Sequence, residues 1–199
     1  MKAAARPIVL LPLLLGFPFT APADDLVGIE YEGRITEVSD APAEYRVGDR
    51  IAGRLFVDRL LARPRIDTPN QVTYESHDPD FVRGFWGPGG DGFDRVFVGD
   101  EMSLDGLDKP IDMFSAQDWF VTRNGSLDGA SVFRVSARLY DFLDGVDLDQ
   151  SFELTSADVD EPHESLTGGF RFSSLGPFPF VSFVLDRLTV KPGRCFAPR

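Results

Sequence analysis

Strict alternation of apolar and polar residues, repeated in three separate stretches, constrains this chain more than any other feature. Val27, Ile29, Tyr31, Gly33 and Ile35 alternate with Glu30, Glu32, Arg34 and Thr36. From Tyr45 the same parity carries Val47, Ile51, Gly53, Leu55 and Val57, interleaved with Arg46, Arg50, Arg54 and Asp58. Phe133, Val135, Ala137 and Leu139 alternate with Arg134, Ser136 and Arg138. A period of two places successive side chains on opposite faces of a strand, so each stretch buries one face and wets the other. Weaker strand signals fall at 71–76, 93–99, 117–123, 150–155, 167–173 and 181–190. After the leader described below, no stretch sustains a helical period with caps. About nine short strands are therefore predicted.

Turn chemistry punctuates these runs. Asn124-Gly125 stands between two of them, a pair that tolerates the positive φ angles of a tight hairpin. Leu-Asp-Gly recurs at 104–106, 127–129 and 143–145, without the fixed interval of a structural repeat. Arg59–Asn70 reads as a basic, proline-containing connection, and His77–Gly92 as a long loop. The predicted fold is all-β: a single-domain antiparallel β-sandwich, jelly-roll-like, over residues 24–190, with a short polar tail at 191–199.

Residues 1–23 read as a secretory leader: Lys2 and Arg6, an uncharged apolar stretch from Ile8 to Phe19, then Ala21-Pro22-Ala23. Cleavage is expected after Ala23. The apolar stretch is interrupted by Pro12 and Pro18 and falls short of the roughly 20 residues that a span needs. A secreted or periplasmic location follows as the expectation, with no membrane span in the mature chain. The 199 residues hold 32 acidic and 20 basic side chains, for a net charge of -12. Such a field opposes nucleic acid as a partner. One cysteine, Cys195, precludes an intramolecular disulfide framework or a multi-cysteine metal site.

The segments Tyr31–Val38 and Tyr45–Asp58, with their Gly-x-Ile-Thr-x-Val strand, Val-Gly-Asp turn and Gly-x-Leu-x-Val-Asp run, together with Phe183–Val190, resemble uncharacterised exported bacterial β-sandwich proteins. Many of those carry a PEP-CTERM sorting tail. This chain has no Pro-Glu-Pro signature, terminal apolar helix or basic tail. The resemblance implies an exported sandwich and assigns no chemistry.

Two constellations point to ligands. Gly89-Gly90-Asp91-Gly92-Phe93-Asp94-Arg95-Val96-Phe97 fits one copy of the calcium-binding nonapeptide, and Asp78, Asp80, Asp91 and Asp94 cluster along the same loop. These four are the candidate metal ligands, with calcium as the candidate ion, weighed against a solvated acidic surface. Two further acidic groups are Asp144, Asp147 and Asp149, and Asp158, Asp160, Glu161 and Glu164. Phe85, Trp86 and Phe93 are candidate platforms for sugar rings; the competing reading anchors the loop, Phe81 included, onto the sandwich. No nucleophile elbow or zinc helix occurs, and the imidazoles are His77 and His163. No catalytic residue is assigned. The function expected is an acidic binding or structural module, its partners drawn from extracellular polysaccharide, calcium or envelope proteins. The alternative is a carbohydrate-active hydrolase using a carboxylate pair.

Overall fold

In the computed structural model, residues 25–40, 45–78, 81–84, 94–122, 129–172 and 179–193 are described. They contain β1 (Leu26–Ser39), β2 (Arg50–Asp58), β3 (Arg63–Thr68), β4 (Gln71–Ser76), β5 (Val82–Gly84) and β6 (Asp94–Met102). The series continues with β7 (Ile111–Thr122), β8 (Gly129–Leu139), β9 (Phe152–Thr155), β10 (Ser165–Phe172) and β11 (Phe180–Pro192). The leader and Cys195 lie outside the described residues.

Every pairing is antiparallel, and the strands run β3-β4-β6-β7-β8-β10-β11-β1-β2-β5 across one sheet. Strand β11 holds β1 along one side; on its other side β10 takes the first half and β9 the second. The sheet folds over one core to which β1, β2 and β5 contribute together with β6, β7, β8, β10 and β11. The all-β, antiparallel, sandwich-like architecture expected from the alternation is present.

The inward parity is the one read from the sequence. Val27, Ile29, Tyr31 and Ile35 are buried from β1, and Phe133, Val135, Ala137 and Leu139 from β8. Under β8, β10 and β11 lies an aromatic cluster of Tyr31, Phe133, Phe170 and Phe183, with Phe133 5.1 Å from Tyr31 and 6.0 Å from Phe183 between ring centroids. Gly168 makes room for it, because a Cβ there would meet the Phe183 ring at 2.2 Å. Rings of this size dominate core burial and prefer such offset or tilted contacts.

Several boundaries differ from the sequence reading. Residues Arg63–Thr68, read as part of a connection, form β3, an exposed edge strand whose Arg63, Pro64, Arg65 and Asp67 suit an unpaired edge. The loop at 77–92 is interrupted by β5, and Phe81 and Val82 are fully buried, so this segment is anchored by its apolar residues. Strand β2 begins at Arg50 rather than Tyr45. Val47 and Gly48 form a turn, with Gly48 at φ +94°, and the Gly48 amide donates to the Ile35 carbonyl at 2.8 Å. Strand β7 begins at Ile111, six residues before the expected start. Its buried Asp112, beside buried Ile111, breaks the alternation that would have marked it.

Candidate functional site

The outward faces of β7, β8, β10 and β11 form a groove of about 780 Å³. Its lining follows from strand register. One row across the sheet reads Gln117, Arg134, Gly169 and Ser182; the next, Ser136 and Thr167. Met113, Arg138 and Ser165 form a third row, and Val132, Arg171 and Phe180 a fourth. Small residues make the depression. Gly169 contributes no side chain in its centre, and a Cβ there would come 2.9 Å from the Val181 carbonyl oxygen. Ser136 and Thr167 lie side by side, their hydroxyls 3.2 Å apart. Behind this floor stands the aromatic cluster, because Phe133, Phe170 and Phe183 are the inward neighbours of Arg134, Gly169 and Ser182. A floor backed by packed rings holds its outward side chains on a rigid base.

Among the described residues, the groove gathers basic side chains without carboxylates. On the outward face of β11, β1 and β2, basic side chains meet carboxylates: Arg54 with Glu30, Arg50 and Arg187 with Glu32, and Arg34 with Asp186. Elsewhere Arg59 pairs with Asp149, and Arg65 and Arg95 both reach Glu75. Arg46 and Arg63, with no ion pair among the described residues, stand apart on a turn and on the edge strand. In the groove, Arg134, Arg138 and Arg171 have no carboxylate partner among the described residues, and its lining contains no Asp, Glu or His. Arg134 and Arg171 are exposed. Arg138 is half-buried, and its Nε is enclosed without a hydrogen-bond partner. A desolvated N–H of this kind is costly.

Of the candidates named from sequence, Asp78 and Asp94 lie outside the groove lining. Phe85, Trp86, Phe93, Asp80 and Asp91 fall outside the described residues. Asp78 is exposed two residues past the end of β4, where its amide donates to Ser76 Oγ at 3.0 Å and its carbonyl accepts from the Phe81 amide. Asp94 is buried at the start of β6, in register with Ser76. His77 and His163 are both exposed.

The other two acidic groups build turns. Gln150 ties the first together, accepting from the Asp144 amide and donating to the carbonyls of Gly145 and Asp147. In the second, Asp158 accepts from the Thr155 amide and hydroxyl, and Glu164 accepts from the amides of Tyr140, Asp160 and Glu161. Among the described residues no group of three or more His, Cys, Asp or Glu side chains is arranged to hold a metal ion.

Glu164 has a measurable signature. Partial burial works against its ionised form, but the amides of Glu161, Asp160 and Tyr140, aided by Lys109, outweigh it and hold the carboxyl below its ordinary 4.5. A lowered folded value means that the stabilisation is fully present above pH 4.5 and is lost as pH falls through the lower value. Glu164→Gln is expected to lower stability at neutral pH and to flatten the acid side of the profile. Melts from neutral pH down to about pH 3 would show it; parallel profiles for the two proteins would refute it. Asp100 has the opposite sign: burial, then the charges of Asp112 and Glu101, raise it.

The groove was missed because its residues are scattered over four strands as ordinary outward positions. A signal did exist. Arg134, Ser136 and Arg138 on β8 and Thr167, Gly169 and Arg171 on β10 form outward runs free of acid in a chain with 32 carboxylates. Among known proteins, no family model, curated protein or solved structure matches the chain.

Proposed function

We propose that this chain is an exported binding module that holds a carbohydrate chain in the groove across β7, β8, β10 and β11. The observation that carries the reading is the lining: hydroxyls of Ser136, Ser165, Thr167 and Ser182, the Gln117 amide and three guanidiniums surround a depression cleared by Gly169, with Phe180 at one end. Hydroxyl and amide groups suit a ligand that is itself dense in hydroxyls, and an aromatic edge suits the C–H face of a sugar ring. The open form spans four strands, as a polymer that continues past both ends requires. Export rests on the leader-like residues 1–23.

The hydrolase alternative draws no support from this groove. Glycoside cleavage needs an acid and a second carboxylate flanking the bond, and the lining offers neither.

Thr167→Trp, an outward substitution on β10, fills the depression and leaves the inward face unchanged. In affinity electrophoresis through gels cast with polysaccharide, the native chain is expected to be retarded. The variant should lose at least about tenfold in affinity, or ~1.4 kcal/mol. An unretarded native chain in every gel, or full retention by the variant, would refute the reading.

A further inference from the structure

We infer that the groove selects a sparsely charged anionic polysaccharide, one carrying a carboxylate or sulfate on about every second sugar, and that Arg134, Arg138 and Arg171 are its specificity-determining residues. The inference rests on the carbohydrate-binding reading and adds the chemical class of the ligand.

Charge complementarity is the first support. Outward arginines on β1, β2 and β11 meet carboxylates, whereas the three in the groove meet none among the described residues. A neutral ligand would leave this concentration of cations without a counterpart. An anionic oxygen at a guanidinium in the groove would supply charge-assisted hydrogen bonds, the stronger kind.

Spacing then limits the charge density. Arg134 and Arg138 stand four residues apart on β8, about 13 Å at the rise of a strand. Arg171 lies on β10 opposite Val132, about 8 Å from Arg134 between backbones. The three cations thus span roughly 20 Å. Duplex DNA presents one phosphate per about 1.7 Å, so about a dozen charges would face three guanidiniums. The excess would be repelled by a protein of net charge -12. An anion every second sugar matches three cations without that surplus. Physiological salt screens beyond about 8 Å, so distant surface acids weigh little against contacts inside the groove.

The test is affinity electrophoresis of the full chain against dextran, hyaluronan, heparin, poly-L-glutamate and duplex DNA, repeated with the double variant Arg134→Gln/Arg171→Gln. Both side chains are exposed, so melting temperature should hold and serves as the folding control. Hyaluronan, with one carboxylate per two sugars, is expected to retard the native chain most. The double variant should lose at least about tenfold, and added salt should weaken the native complex. Equal retention by dextran would overturn this inference and leave the carbohydrate reading standing. Retention by no polysaccharide would overturn both. Tighter binding of heparin or DNA would overturn the sparse-charge assignment, and preference for poly-L-glutamate would hand the groove to an acidic protein segment.

Discussion

Replacing Asp112 with alanine is expected to lower stability by about 3 kcal/mol and the melting temperature by roughly 10 °C. Asp112 is buried near the start of β7, and its carboxylate serves three backbone donors from two other segments. Oδ1 accepts from the Glu101 amide at 2.8 Å; Oδ2 accepts from the amides of Phe142 at 2.6 Å and Leu143 at 2.8 Å. Both segments contain a non-glycine residue in the left-handed region, Glu101 at φ +47° in the irregular end of β6 and Asp141 at φ +56°. Such conformations persist only where neighbouring bonds over-determine them. Alanine would leave the Leu143 amide, on a buried residue, without an acceptor, whereas exposed Glu101 can turn to water. Asp112→Asn keeps one oxygen for Phe142 and Leu143 and should lose only about 1 kcal/mol. Urea titrations of both variants would check the order, and an alanine variant as stable as the native chain would sink the assignment.

Gly33→Ala should cost about 3 kcal/mol, although alanine restricts the unfolded chain and so favours folding by about 0.4–1 kcal/mol. The loss comes from contact with backbone. A Cβ at Gly33 would lie 2.1 Å from the Val184 carbonyl oxygen and 3.1 Å from Leu185 Cα, and no flexible side chain can move aside. The pairing of β1 with β11 shifts register at this point, Glu32 opposing Arg187 and Gly33 opposing Leu185, so the close approach belongs to a bulge. Relief would require separating the two strands. Denaturant midpoints would measure the effect, and a loss under about 1 kcal/mol would show that the bulge can yield.

Where a strand has one wet face, its inward residues were legible from parity alone. Val27 to Ile35 and Phe133 to Leu139 are the plainest examples. Legibility failed where a residue serves the backbone instead of the pattern. Asp112 is a carboxylate at a buried position and concealed the start of β7. Strand β3 has no buried residue at all, so no alternation could announce it; its pairing with β4 shows it. For the two further acidic groups, a sequence lists carboxylates without saying what they accept. In the fold, Asp158 and Glu164 take backbone amides. The groove was illegible for another reason: Arg134 and Arg171 are 37 positions apart and become neighbours only through the β8–β10 register.

The joining of β1 to β11 has a kinetic consequence. The first and last described strands are mutual partners over nearly their whole length, and Gly193 closes the seam by donating to the Leu26 carbonyl at 2.8 Å. Contacts between distant parts of a chain form only after a large entropic search, which slows folding. Until β11 docks, the groove lacks Phe180 and Ser182, its β11 wall. Completion of the groove and closure of the sheet are thus a single late event, and a polypeptide cut short before β11 could assemble neither.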